Sequence, residues 1–265
     1  MARIDVSTAN GVRVLTLTEP PANTYSYEMM RELDAAVLDA RMARDVFVIV
    51  LTGAGEKFFC AGATIGMLKN ADPDFKYYFC LHANETLNRL EQTPKLVIAA
   101  LNGHTVGGGL EIAMAADLRI ARQNAGRIGL PEVALGVLPG TGGTQRLTRL
   151  VGKPRAMEMM VAGRLLSMDE AAAIGLVHEV WGDDHLAGRS FVEAVVAYAQ
   201  QFTPPHKASL AVGRIKRAVQ SGAEAGFGEG LAMERELQQL LFQSADAKEG
   251  LAANLEKRPP KFTGS

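Results

Sequence analysis

Two apolar runs constrain this chain most. "VFVIVLTG" (46–53) and "KLVIAALNG" (95–103) are continuous rather than alternating, the first rich in β-branched residues. Runs of this kind belong to strands covered on both faces, and such strands lie in parallel sheets whose connections supply the covering helices. The connections here have that character. "VRVLTLT" (12–18) reads as a half-buried strand, and "SYEMMRELDAAVLDARMA" (26–43) then spaces Met30, Leu33, Val37 and Leu38 at helical intervals. After the first run a helical pattern covers 74–91, Pro94 breaks it, and the second run leads to three glycines and a helix from Leu110. Repeated strand-to-helix crossovers predict an α/β fold with parallel pairing.

Shorter strands are expected at "LRIA" (118–121) and "LVHEVW" (176–181), separated by the loop "LPEVALGVLPGTGG" and two short helices. The second helix, "SMDEAAAIG", opens with a capping box from Ser167 to Glu170 and stops at Gly175. From residue 184 every periodic segment is helical, near 184–201, 205–220 and 227–257. This divides the chain into a core, residues 1–195, and a helical region, 196–265, that packs on the core or on another subunit.

Composition excludes several classes. At 48% hydrophobic and 22% charged residues with a net charge of -1, the chain reads as globular, without a bias toward nucleic acid or membranes. Cys60 and Cys80 form no CxxC or metal-spaced pair, which favours a reducing cytoplasm. "MARIDVSTANG" lacks the apolar stretch of a secretory signal, and Asn102, His104, Glu111 and the glycines interrupt the longest apolar region. A cytoplasmic protein is the expectation.

The chemistry concentrates after the two buried strands. Gly107, Gly108 and Gly109 in "HTVGGGLE" stand where an open α/β sheet places a ligand, and helix-start amides there favour an anion or oxyanion. Close helix-to-strand packing is the competing explanation of these glycines. "FFCAGATI" (58–65) occupies the equivalent point of the preceding cycle, with Gly62 turning the Ala63 amide toward the same crevice. Two amides from two loops suit one carbonyl oxygen on which charge develops. Glu111 lies in a helix first turn, where the dipole alone would favour it, and Glu132 in "GLPEVALG" has no neutralising neighbour in sequence. If both face the amides they can share a water molecule, one taking its proton as the other protonates carbon.

Other motifs are weaker. "PGTGGTQRL" (139–147) has neither GKS/GKT nor GxGxxG, so Gly140, Gly142 and Gly143 read as a turn and helix start bordering the site. His82, His104, His178, His185 and His206 are scattered without HExxH, and no GxSxG elbow occurs, so no metal site is expected.

With these residues assembled, the sequence resembles the crotonase superfamily, the enoyl-CoA hydratase/isomerase family, from about residue 12 to Phe262. The resemblance is carried in order by "FFCAGATI", "KLVIAALNGHTVGGGLEIAMAADLRIA", "GLPEVALGVLPGTGGTQRL" and "LVGKPRAMEMMVAGRLLSMDEAAAIGLVHEV". It implies a spiral of ββα units, a C-terminal trimerisation region, and a homotrimer or a homohexamer made of two trimers. It also implies an acyl-CoA thioester substrate, with no separate cofactor, whose carbonyl is held by the amides of Ala63 and Gly108. Glu111 and Glu132 match the two glutamates of hydratases, whereas isomerases often keep only the second. Hydration of a 2-enoyl-CoA to a 3-hydroxyacyl-CoA is the activity implied; an isomerase, another crotonase-type acyl-CoA enzyme and a non-catalytic acyl-CoA-binding protein are the alternatives.

Substrate and coenzyme A contacts implied in the same way are Ala22, Thr24, Ala61, Ala63, Thr64, Ile65, Gly107, Gly108, Gly140, Phe242 and Lys257, the last two reaching the nucleotide from the tail. Thr64 replaces the usual aspartate of "AGAD", and Asn254 replaces the usual aromatic before "LEKR". Tyr25, Tyr27, Met67, Leu68 and the aromatics of "FKYYF" (75–79) are candidates for the acyl pocket, with ordinary core packing as the competing role of each.

Overall fold

Both apolar runs become central strands of one sheet, and alternate residues of each serve opposite faces. The computed structural model describes residues 2–265. Its first half runs β1 (Ile4–Ala9), β2 (Val12–Leu17), α1 (Tyr27–Met42), β3 (Val48–Gly53), β4 (Phe58–Cys60), α2 (Ile65–Asn70), α3 (Pro73–Gln92), β5 (Leu96–Leu101), β6 (His104–Val106), α4 (Gly108–Met114), β7 (Leu118–Arg122) and β8 (Ile128–Gly129). A 3-10 turn (Glu132–Leu135) then leads to α5 (Gly143–Val151), α6 (Lys153–Val161), α7 (Met168–Ala173), β9 (Glu179–Trp181), α8 (Asp183–Leu186), α9 (Phe191–Gln200), α10 (Ser209–Glu224), α11 (Phe227–Phe242) and α12 (Ala245–Leu255).

The larger sheet has the order β1-β2-β3-β5-β7-β9, parallel except where β1 pairs antiparallel with β2. Ile49, Leu51, Val97 and Ala99 face a core built with α1, α3 and α4. Val48, Val50, Ile98 and Ala100 face Trp181 and the α9 residues Phe191, Ala194, Val195 and Ala199. Two buried faces explain why neither run alternates. The division between residues 195 and 196 falls inside α9, whose Val195 and Ala199 are both fully buried on the sheet.

A smaller parallel sheet, β4-β6-β8, repeats the order of β3, β5 and β7. β3, β5 and β7 therefore each continue into a small-sheet strand before the next helical segment, which winds the chain as a spiral of strand-strand-helix units. These short strands were not expected from the sequence, because two or three residues are too few to display a period.

Four further boundaries differ from expectation, the first being the segment near 184–201, which Ala187 and Gly188, both at positive φ, divide into α8 and α9. β1 was not anticipated, because only Ile4 of its six residues is buried; the turn into β2 is Asn10-Gly11, both with positive φ, a strong hairpin signal. Residues 143–173 form three helices rather than two, since Gly152, at φ +81°, separates α5 from α6. The segment 227–257 is broken by Ser244, which caps α12 by accepting from the Ala247 amide at 3.0 Å. The capping box of Ser167 and Glu170 is present as expected.

α10 is fastened to the core by a buried ion pair. Lys216 Nζ lies 2.9 Å from Asp117 Oδ2 and donates to the Lys95 carbonyl at 3.0 Å. Asp117 also accepts from the Val97 amide and from Gln220, each at 2.7 Å. Among the described residues no helix is long and apolar enough to cross a membrane.

Candidate active site

The three glycines serve three purposes. Gly107 has φ +59° and ψ -133°, a conformation closed to other residues, and a Cβ there would stand 3.0 Å from Glu132 Oε1. A Cβ on Gly108 would collide with the ring and hydroxyl of Tyr25, and one on Gly109 with the Cys60 carbonyl. Close packing accounts for Gly109, while Gly107 and Gly108 lie against the side chains of Glu132 and Tyr25.

The "AGAT" loop reaches the same place. Gly62, at φ +87°, lies so near α4 that a Cβ on it would be 3.0 Å from the Gly108 nitrogen. Tyr25 holds this loop by a parallel bridge, donating its amide to the Gly62 carbonyl at 2.9 Å and accepting from the Thr64 amide at 3.0 Å. In such a bridge the intervening residue, Ala63, directs its own amide away from Tyr25. Among the described residues neither the Ala63 nor the Gly108 amide donates to another backbone group.

Glu111 is 2% exposed on α4, yet well supplied with donors. Its Oε1 accepts from the amides of Thr141 at 2.8 Å and Gly143 at 2.7 Å, and its Oε2 accepts from the Thr141 hydroxyl. Burial raises its pKa, while these hydrogen bonds and Arg146 act in the opposite direction. Glu132, on the 3-10 turn, has a different environment. Its Oε2 is buried without a partner. Burial pushes its pKa up to about 7, opposed by its own backbone amide and reinforced by the charge of Glu111. One carboxylate is therefore held by donors, and the other is left free and close to neutrality.

The remaining expected residues fall in two groups. Ala22 accepts from the Ala61 amide at 3.0 Å, Thr64 donates its hydroxyl to that of Thr24 at 3.3 Å, and Ile65 is exposed, so residues 22–25 and 61–65 form one rim. Gly140 joins from the other side, its carbonyl accepting from Asn84 at 3.3 Å. Phe242, at the end of α11, and Lys257, beyond α12, belong to the tail; both are exposed, and among the described residues neither side chain makes a hydrogen bond or ion pair to that rim.

Thr141 was missed as a functional residue by sequence reasoning, which treated the loop around it as a turn. A threonine flanked by glycines is the only local signal, and nothing in sequence links it to Glu111, 30 positions away. Tyr25, weighed as pocket lining or core packing, is buried in the core, and its hydroxyl lies 3.3 Å from that of Thr141. The histidines have local roles: His178 and His104 accept backbone amides from Arg119 and Arg127, and His82 packs edge-on to Tyr27.

Comparison with known proteins agrees with this geometry. The family model for enoyl-CoA hydratase/isomerase matches residues 7–265. A short-chain-enoyl-CoA hydratase of Clostridium acetobutylicum is 38% identical over 93% of this chain and 92% of its own. The crystal structure of an enoyl-CoA hydratase from Geobacillus kaustophilus superposes with a TM-score of 0.95 at 44% identity, covering 100% of this chain and 98% of that one. A second, from Bacillus anthracis, has a TM-score of 0.92 at 34% identity, covering 99% and 100%. The strand-strand-helix spiral, the helical tail and these matches together mean that the chain belongs to the enoyl-CoA hydratase/isomerase family, within the crotonase superfamily.

Proposed function

We propose that this protein is an enoyl-CoA hydratase, adding water reversibly across the double bond of a 2-enoyl-CoA to give a 3-hydroxyacyl-CoA. The observation that carries the reading is the unlike pair of carboxyl groups beside one glycine turn: Glu111 accepts three hydrogen bonds, whereas Glu132 has a buried oxygen without a partner. Glu111 suits the base and Glu132 the acid.

The thioester carbonyl accepts from the amides of Ala63 and Gly108. Glu111 takes a proton from water as the water oxygen bonds to the β-carbon, and the electrons of the double bond pass through the α-carbon to the thioester oxygen. That oxygen becomes enolate-like and is stabilised by the two amides, each donor lowering the barrier by on the order of 3 kcal/mol. Collapse of the enolate takes the proton of Glu132 onto the α-carbon. Dehydration is the same path reversed.

Coenzyme A is part of the substrate, and no further cofactor enters the reaction. Its nucleotide lies along Ala61, Ala63 and Ile65, with Ala22, Thr24 and Thr64 behind them, and Phe242 and Lys257 close over it from the tail, their own or a neighbour's. Trimers pairing into hexamers would cover the tail's apolar surface, where Phe227 and Leu255 are each 84% exposed. A cytoplasmic location suits this chemistry and the two free cysteines.

The test is loss of conjugated-enoyl absorbance when the purified protein meets a short 2-enoyl-CoA, with Glu111→Gln and Glu132→Gln alongside. Loss abolished by either substitution supports hydration. Double-bond migration that survives Glu111→Gln would make the protein an isomerase, and binding without any turnover would leave an acyl-CoA-binding protein.

A further inference from the structure

Tyr25 touches three parts of the site. Its backbone bridges the loop that carries Ala63. Its ring, stacked on Phe79 with centroids 5.7 Å apart, fills the space a side chain on Gly108 would need. Its hydroxyl meets Thr141, whose hydroxyl meets Glu111. Tyr25 and Thr141 are 2% and 3% exposed.

The hydrogens of this chain are constrained by counting. A threonine hydroxyl has one hydrogen, and when Glu111 is ionised that hydrogen points to Oε2, so the Thr141 oxygen receives the hydrogen of Tyr25. When Glu111 holds a proton on Oε2, that proton points to Thr141, and the Thr141 hydrogen turns toward Tyr25. The relay reverses as a unit. Burial, then the charge of Glu111, raises the Tyr25 pKa well above its usual value, so the phenol keeps its hydrogen throughout.

We propose that Tyr25 is a positioning residue: acting through Thr141, it holds the Glu111 carboxylate in one orientation and reorients the relay when that carboxylate takes the proton from water. This rests on reading Glu111 as the base of hydration. The tyrosine does not touch substrate in this role. It couples the base to the loop that carries one oxyanion amide and to the glycine that carries the other.

Two readouts test it on the full-length protein. The first is steady-state hydration of a short 2-enoyl-CoA by Tyr25→Phe, Thr141→Val, Thr141→Ser and the Tyr25→Phe/Thr141→Val double variant. Losing one hydrogen bond of a buried network to a charged group is expected to lower kcat about tenfold in Tyr25→Phe, with KM nearly unchanged. Thr141→Ser, which keeps the hydroxyl, should retain most activity. Adding Tyr25→Phe to Thr141→Val should cost no more than about twofold, because the relay is already cut.

The second readout needs no substrate: titration of Glu111 by carboxyl carbon NMR in glutamate-labelled protein, the resonance identified by its loss in Glu111→Gln. Tyr25→Phe should move the midpoint up by about half a pH unit or more, since the ionised form loses its outer donor. Glu132, Cys80, Tyr25 and Arg146 are the titratable and charged groups that act electrostatically on this carboxylate. An unchanged midpoint and kcat in Tyr25→Phe, or fully additive losses in the double variant, would overturn the relay while leaving hydration intact. A shifted midpoint in a protein that hydrates no enoyl-CoA would keep the relay and remove the hydratase reading. An unshifted midpoint in an inactive protein would remove both.

Discussion

Glu132 Oε1 lies against the backbone of Gly107, at the spot where a Cβ on that glycine would come within 3.0 Å of it. Glu132 and the glycine turn are therefore fitted to each other so closely that a methyl group would push the carboxyl aside. Gly107→Ala would both strain a backbone at φ +59° and displace Glu132. We expect stability to fall by about 1–3 kcal/mol, read by thermal unfolding, and hydration to fall far more than unfolding explains. Wild-type turnover in a folded Gly107→Ala protein would show that neither constraint matters.

Glu111→Gln keeps the size of the side chain and removes the base. Hydration should slow by about 10²–10⁴-fold. Affinity for a saturated acyl-CoA, measured by calorimetry, should change little, since the role proposed for Glu111 is at the reacting carbons and not at the nucleotide.

Glu132 sets the pH dependence. In the proposed reaction Glu132 must be protonated and Glu111 ionised. The hydration rate should therefore fall roughly tenfold per pH unit above about 7, where Glu132 ionises, and fall again in acid as Glu111, its pKa raised by burial, takes up a proton. Dehydration starts from the ionised form of Glu132 and should show the opposite limb. Stability is linked in the same sense. Between the ordinary glutamate value of 4.5 and about 7 the folded protein retains a proton that the unfolded chain releases, so this group's contribution declines as pH rises through that window. Glu132→Gln should therefore melt higher than wild type above pH 7 and lose that advantage in acid, a trend that calorimetric scans at several pH values can follow.

The pair of Lys216 and Asp117 offers a test of the tail. Their side chains are 5% and 12% exposed, and removing one partner leaves a buried charge uncompensated. Lys216→Ala should cost about 3–5 kcal/mol in denaturant unfolding. The double change to Met at 216 and Leu at 117 should cost less than the single one, unless the hydrogen bonds of Asp117 to Val97 and Gln220 outweigh the charge.

How much of this was legible beforehand depended on how far each signal extends along the chain. The runs around Val50 and Ile98 are long enough to declare two-sided burial, and Gly62, Gly107, Glu111 and Glu132 stand in turns with their own local signatures. β4, β6 and β8 are too short for any period to show. β1 exposes most of its residues and carries no apolar stripe, although Asn10-Gly11 announced its hairpin. The contacts of Thr141 with Glu111 and Tyr25 span 30 and 116 positions, so only the folded chain reveals them. The break between α11 and α12 was readable in Ser244, a capping residue passed over inside a long helical period.

The two amides of Ala63 and Gly108 belong to turns that follow the paired strands β4 and β6 and meet at the near contact of Gly62 with the Gly108 nitrogen. Peptide groups are written into every sequence alike, so mutation can exchange the acyl-facing side chains around this seam without erasing its electrostatics. If these amides hold the thioester oxygen as proposed, selectivity for one acyl chain over another is free to drift while the means of stabilising an enolate stays in the backbone. Within that freedom Tyr25 is an exception, because its side chain and its backbone serve the same seam.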